Sequence, residues 1–518
     1  MDVKNEVAPH LHDVLIIGGG PCGLAVASRL SEHMPAASFT DDEHNRYHWL
    51  KKRQGKVSIK AWRTGIVKSA SMCGIAAREK TPDTVVLDAT GDRWMARWDY
   101  LFKTFGITHL RSPMFFHIDP AERDGLLSYT HMNGRGNELT ELRGCVGKEM
   151  SKHKWKKRVK SHREFGDGPT VDERDRNDYF VPSTPLFASH CGCIIDRYGL
   201  RQDIVRQEKA LDIKFDYFDD VHPTEKVFRI ETDKRICYSR TTVLAVGPAN
   251  EPVIPSYVGV DNPEATTHAL KIKEFPSQAI RAKIAAKRTT NVLIVGGGLT
   301  SAQLADLALR KGVTRVWLIM RGPLKAAFWT ADSLDERWDM IKTARNGGSI
   351  TPPYKKILDR LVANGKVVLS LHTTIKTRNW NEATQTWDIE LSGGRPQKLP
   401  PIDHIYFATG VQSNFQSLPY LQSLLAQYPI EDCGGMPCIT EDMQWSDEVP
   451  LFMAGRLGAL QLGPGAPNLV GARIGAERIS WAIQELLSKD ENGQSKVPDS
   501  RFDYLTARGS RYEALAEE

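Results

Sequence analysis

The sequence predicts an α/β fold built on two Rossmann-like dinucleotide-binding units, and three observations predict it. Residues 13–31, DVLIIGGGPCGLAVASRLS, run from a short apolar stretch through a triple glycine into apolar residues at helical spacing. Residues 290–309, TNVLIVGGGLTSAQLADLAL, repeat that grammar. Strand, tight turn and helix in this order open a βαβ unit that binds a dinucleotide. The third observation is distance. The second copy begins about 280 residues after the first, a spacing of whole domains rather than of short-period repeats.

In the first unit Gly18, Gly20 and Gly23 fill G-x-G-x-x-G, with Pro21 and Cys22 inside the pattern. One glycine makes the tight turn, one lets the backbone approach a pyrophosphate, and one lets helix and strand pack closely. Pyrophosphate then sits on the helix N-terminus, where free N–H groups and the dipole favour negative charge. About 20 residues on, where a ribose-binding acid is expected, stand Asp41, Asp42 and Glu43, and the spacing does not choose among them.

The second unit carries Gly296, Gly298, Leu299, Thr300 and Ser301 across its turn. Its next strand, VTRVWLIM (313–320), is followed by Arg321, with Lys325 nearby. An acid there suits the free 2′-hydroxyl of NAD, whereas a cation suits the 2′-phosphate of NADP, so the second nucleotide reads as NADPH. Two further runs, TVLAVGP (242–248) and IYFATG (405–410), read as strands ending in small-residue turns; Thr409 and Gly410 belong to the latter. Residues 452–483 read as strand, glycine-rich loop and helix, a layout that returns the chain to the first unit.

Composition excludes other classes. The 518 residues are 41% hydrophobic and 25% charged, which is ordinary for a globular protein and long enough for two or three packed units. No apolar run reaches the roughly 18–20 residues of a membrane span. The charged start, MDVKNEVAPHLHD, gives no expectation of a secretory leader. Eight cysteines without framework spacing indicate reduced thiols in a cytoplasmic setting, with no metal site among them. The net charge of +6 is concentrated in the Lys/Arg-rich segment 148–163. That segment reads as a solvated surface insertion, since no interleaved aromatic stripe accompanies it, and no nucleic-acid partner is expected.

With these residues in place, the chain resembles the class B flavin monooxygenases. Within them it resembles the N-hydroxylating branch typified by ornithine and lysine N-monooxygenases. IIGGGPCGL (16–24) is similar to that family's FAD fingerprint and GGGLTSAQ (296–303) stands where its NADPH fingerprint does. LRSPMFFHIDP (110–120) is similar to its Arg-Ser-Pro-Phe stretch, LIMR (318–321) to the strand before its NADP-phosphate contact, and ATG (408–410) to its late strand-turn. The F-x-G-x-x-x-H-x-x-x-W/Y pattern of Baeyer–Villiger and classical flavin-containing monooxygenases is absent between the two units.

The resemblance implies an FAD domain over 1–270 and 396–518, with a substrate-side insertion near 100–195, interrupted by an NADPH domain over 271–395. It implies a single-component monooxygenase that reduces FAD with NADPH. The reduced flavin takes up O2 as a C4a-hydroperoxide and passes oxygen to an amine, as in secondary metabolism. Arg111, Ser112, Gln461, Asn468 and Leu469 are then candidates to line the cofactors, against ordinary turn or helix-capping roles. No general base or other catalytic residue is legible. Alternatives are a ketone- or sulfur-oxidising monooxygenase of the same cycle, a non-catalytic regulator on this fold, and a disulfide reductase, for which no cysteine pair is suitably spaced. A homo-oligomer is left open.

Overall fold

The computed structural model describes residues 9–32, 35–39, 44–45, 52, 56–60, 67–71, 81–142, 173–201, 204–247, 252–321, 350, 352–394, 398–411 and 414–488. The three acids at 41–43, the basic segment 148–163 and Lys325 lie outside them.

The chain opens with strand β1 (Leu11–Ile17), whose Val14–Ile17 are buried, and helix α1 (Pro21–Leu30), with Pro21 at its first turn. Proline there gives up no hydrogen bond and presets the helical φ. Strand β2 (Thr84–Leu87) follows, then helices α2 (Ala96–Thr104) and α3 (Thr184–Arg197) of the segment expected to be an insertion. Ser183 caps α3 by accepting from the Leu186 N–H. Beyond it come β3 (Val205–Arg206), β4 (Ala210–Phe218), β5 (His222–Thr232) and β6 (Ile236–Leu244).

Next along the chain are β7 (Thr266–His268), β8 (Asn291–Val295), helix α4 (Leu299–Arg310), β9 (Arg315–Ile319) and β10 (Val367–Ser370). A hairpin of β11 (Thr373–Asn381) and β12 (Thr386–Gly393) precedes β13 (His404–Phe407). The chain then supplies β14 (Gln444–Ser446), β15 (Val449–Met453) and the long final helix α5 (Leu469–Ser488).

These strands form two principal sheets. The first runs β14-β15-β6-β1-β2-β3, with β4 and β5 extending from β6 as an antiparallel meander. Here β1 lies parallel between β2 (Val14↔Thr84 to Ile17↔Leu87) and β6 (Leu11↔Tyr238 to Ile17↔Leu244). The second is the parallel sheet β7-β13-β8-β9-β10. Its strands at 266–268 and 404–407 reach past the 271–395 segment on both sides. Strands buried on both faces read as near-continuous apolar runs, which is why VLII, NVLIV and RVWLI were legible as strands.

Buried clusters match the two sheets, one around the first and one on each face of the second. Around β1, residues from 14–30, 85–87, 187–194, 228–245 and 451–483 share one buried cluster. Around β8, Val292, Ile294, Leu304, Val316, Leu318 and Tyr406 form another. Each buried Leu or Ile contributes about 1.5–3 kcal/mol relative to exposure. Helix α2 links the core around β1 to the one around β8, because its Trp98 and Phe102 pack against the first while Phe105 at its end packs into the second, and its Tyr100 hydroxyl donates to the Ile272 carbonyl at 2.8 Å. The first and last helices are fastened by Arg29, 3% exposed, whose Nε and Nη2 reach the two Glu477 carboxylate oxygens at 2.6 and 2.9 Å. Among the described residues no helix is long and apolar enough to cross a membrane.

Candidate functional site

The first glycine turn stands at the carboxyl edge of β1, where parallel α/β sheets place their ligands. Its three glycines have separate physical duties. Gly18 has φ +117°, and a Cβ there would meet the Ala245 carbonyl oxygen at 2.3 Å. A Cβ on Gly23 would meet the Gly18 carbonyl oxygen at 2.0 Å, so helix and turn close on each other only without side chains. Gly20, at the N-cap of α1 with φ −82° and ψ −171°, has an ordinary extended backbone, and a Cβ there would touch nothing within 4 Å. Of the three glycines, Gly20 is therefore the one whose Cβ position is open.

Neighbouring strands hold this turn. Gly18 N–H donates to the Leu87 carbonyl at 2.8 Å and Ala245 N–H to the Ile17 carbonyl at 2.8 Å. Asp88, 9% exposed at the carboxyl end of β2, accepts the Gly19 N–H at 2.8 Å through one oxygen and the Thr90 N–H at 2.7 Å through the other. Spacing pointed to Asp41, Asp42 or Glu43, which lie outside the described residues. Among the described residues, Asp88 is the acid hydrogen-bonded to the turn. Sequence reasoning passed over it because the strand neighbouring β1 begins at Thr84, far beyond the usual spacing. The available signal was TVVLD, a β-branched run closed by an acid.

Cys22, in the first turn of α1, faces Gly455 just after β15, where a Cβ would lie 2.9 Å from its Sγ. Burial pushes the Cys22 thiol up to about 11, so it stays protonated and serves as a small apolar packing group. Asn468 sits at the N-cap position of α5, its carbonyl accepting the Ala472 N–H at 2.9 Å, while Leu469 is buried. Gln461 donates to the Ile439 carbonyl at 2.7 Å. One turn into α5, Arg473 donates to the Ala37 carbonyl at 2.5 Å and more weakly to that of Phe115 at 3.5 Å. It thereby ties the Arg111–Asp119 stretch to the final helix, a role not visible in the sequence.

In that stretch Arg111 is exposed and Ser112 half-buried, both in a bend after Leu110, whose N–H donates to the Pro182 carbonyl at 3.0 Å. His117 is fully buried and bonded to the Arg123 carbonyl at 2.8 Å. Burial, with His190 and Arg473 nearby, pushes its pKa down to about 3, so it is a neutral structural group.

The second turn repeats the first. Gly296 has φ +145°, and a Cβ there would meet the Ala408 carbonyl oxygen at 2.4 Å, whereas one on Gly298, the N-cap of α4, would meet nothing within 4 Å. Ser301 is buried, with its hydroxyl donating to the Gly298 carbonyl at 2.5 Å. Leu299 and Thr300, both half-buried, begin α4. Arg321 stands exposed two residues after β9, the strand next to β8. Thr409 and Gly410 are placed differently from the turn glycines. The Thr409 hydroxyl bonds the Val253 carbonyl, and the Gly410 carbonyl accepts the Val253 N–H at 3.1 Å. They anchor the crossing from the first sheet to the second.

Each turn thus places a helix N-terminus beside glycines that exclude side chains, an arrangement that fits the pyrophosphate of a dinucleotide. No protein-family model matches the chain, and no curated protein sequence matches it. Solved structures do match. The FAD-bound cadaverine monooxygenase DfoA of Erwinia amylovora superposes with a TM-score of 0.57 at 14% identity, over 95% of this chain and 97% of that one. The ornithine hydroxylase PvdA of Pseudomonas aeruginosa gives 0.57 at 15%, over 92% and 100%. The ornithine N-hydroxylase KtzI of Kutzneria sp. 744, solved with reduced FAD, NADP+ and L-ornithine, gives 0.57 at 14%, over 92% and 100%. The chain shares the two-unit fold of these N-hydroxylating flavin monooxygenases.

Proposed function

We propose that the protein is a single-component flavin monooxygenase that binds FAD at the first glycine turn and NADPH at the second, and that it N-hydroxylates a small amine with O2. The observation that carries this reading is the duplicated turn. Two sheets each present an open glycine, Gly20 and Gly298, at a helix N-terminus, in a fold shared with enzymes solved with FAD and NADP+. Bound FAD would supply the redox chemistry, taking two electrons from NADPH and activating O2 for transfer of one oxygen atom to the amine nitrogen.

The chain's own part is binding and orientation. Gly18, Gly20 and Gly23, with the backbone at Pro21 and Cys22 in the first turn of α1, would cradle the FAD pyrophosphate, and Asp88 holds the turn's backbone in shape. Gly296, Gly298, Leu299, Thr300 and Ser301 would do the same for NADPH, with Arg321 placed to pair the 2′-phosphate. Residues 1–270 and 396–518 would then form the FAD domain and 271–395 most of the NADPH domain. A substrate ammonium has to lose its proton before its nitrogen can attack, so the site has to favour the neutral amine.

The test is amine-dependent turnover. Purified protein supplied with FAD, NADPH and O2 is screened against diamines and basic amino acids, following hydroxylamine formation and hydrogen peroxide together. Hydroxylamine formed in proportion to NADPH consumed supports the reading. Peroxide alone with every amine overturns N-hydroxylation.

A further inference from the structure

The amino-terminal edge of the first sheet carries a side-chain cluster that the proposed function does not use. His10 and His12 stand two residues apart, one just before β1 and one within it, so on extended chain both rings project to the same side. Asp83 immediately precedes β2, the strand paired with β1. Its backbone is fixed there, with Val14 N–H donating to its carbonyl at 3.0 Å and its own N–H donating to the Asp13 carboxylate at 2.9 Å. One carboxylate oxygen, Asp83 Oδ2, lies 2.7 Å from His10 Nε2 and 2.9 Å from His12 Nδ1. The two rings meet edge to face with centroids 4.4 Å apart, and the three polar atoms all lie within 4.8 Å of one another.

Two imidazoles aimed at a single carboxylate oxygen form the donor set N, N, O, which suits zinc and its neighbours nickel and copper. In a tetrahedral site with bonds of about 2.0–2.1 Å the ligand atoms stand roughly 3.4 Å apart. The two N···O separations, 2.7 and 2.9 Å, would open by roughly 0.5–0.7 Å to admit an ion. Burial supports the arrangement. His12 is 7% exposed and held by its strand, whereas the His10 side chain is 70% exposed and leaves an entry path and room for water.

We propose that His10, His12 and Asp83 form a binding site for a divalent transition metal, Zn2+ in the first instance, with water completing its shell. The seven-residue strand β1 separates this edge from the glycine turn by about 20 Å. The ion therefore clips β1 to the start of β2 and takes no part at the nucleotide sites. Because the ligands converge only when β1 and β2 are paired, the metal binds the folded chain and stabilises it.

The probe is ZnCl2 titrated calorimetrically into chelator-treated full-length protein, compared with the His10→Asn/Asp83→Asn double variant. Both substituted side chains are substantially exposed, and the thermal midpoint without metal checks that the variant folds. The wild type is expected to bind one more equivalent of zinc than the variant, and zinc is expected to raise the thermal midpoint of the wild type alone. Copper(II) bound to the wild type should show coupling to two imidazole nitrogens in its electron paramagnetic resonance spectrum. Equal zinc stoichiometry and equal thermal response in the two proteins would overturn the site and leave a hydrogen-bonded surface cluster.

Discussion

Replacing Gly20 by alanine separates binding from folding. At Gly20 the φ of −82° suits any residue and a Cβ finds no protein atom within 4 Å, so Gly20→Ala costs the free protein nothing in contacts. By narrowing the unfolded ensemble it should stabilise the free protein by about 0.4–1 kcal/mol. With the pyrophosphate at this turn as proposed, the bound state would differ, because the methyl group would occupy the space a pyrophosphate oxygen needs and prevent one close N–H contact. A hydrogen bond to a charged group is worth about 1.5–3 kcal/mol, so FAD affinity should fall roughly 10- to 150-fold. Gly23→Ala is the contrast, because its Cβ would lie 2.0 Å from the Gly18 carbonyl oxygen and so should lower the thermal midpoint of the free protein as well. Quenching of flavin fluorescence gives the dissociation constant, and thermal denaturation without FAD gives the stability. A Gly20→Ala protein with wild-type FAD affinity would refute the placement of pyrophosphate at this turn.

Other predictions follow from the same geometry. Arg321→Ala should raise KM for NADPH far more than for NADH in steady-state kinetics, and equal increases would remove Arg321 from the phosphate site. Arg29→Met should lower stability by about 3 kcal/mol in urea denaturation by stranding the Glu477 carboxylate against the final helix, and Arg29→Met/Glu477→Leu should recover much of it. Acid should destabilise the fold through its buried histidines. Burial holds His404 down to about 4 and His117 to about 3, so below the unfolded pKa near 6.5 the unfolded chain takes up protons that the folded one refuses. Each histidine should remove up to about 1.4 kcal/mol per pH unit, His404 between pH 6.5 and 4 and His117 down to about pH 3. Stability that stays flat from pH 6.5 to 4 would contradict their burial as neutral groups.

What the sequence disclosed was local chemistry. A glycine turn between an apolar strand and an apolar helix is contained in about twenty residues, so both fingerprints and the strands flanking them could be read directly. The same holds for the turn after β13 and for the strand, loop and helix at the end of the chain. What could not be read depends on which strand lies beside which. Asp88 is close to Gly19 because β2 pairs with β1, and no spacing rule reaches across the residues between α1 and β2. Arg473 reaching Ala37 and Phe115, and Gly455 making room for Cys22, are likewise meetings of segments hundreds of positions apart. His10 and His12 are an unremarkable pair until Asp83 is brought against them. Thr409 and Gly410, read as cofactor neighbours, bond to Val253 at the crossing between sheets.

The most direct test of the account is an anaerobic titration of the FAD-loaded protein with NADPH, followed by flavin absorbance and then by admission of O2 with and without an amine. NADPH should bleach the flavin, O2 should restore its colour, and hydroxylated amine should appear when amine is present. Protein that does not retain FAD, or FAD that NADPH fails to bleach, would contradict the claim that the two glycine turns serve one flavin-dependent oxygenation.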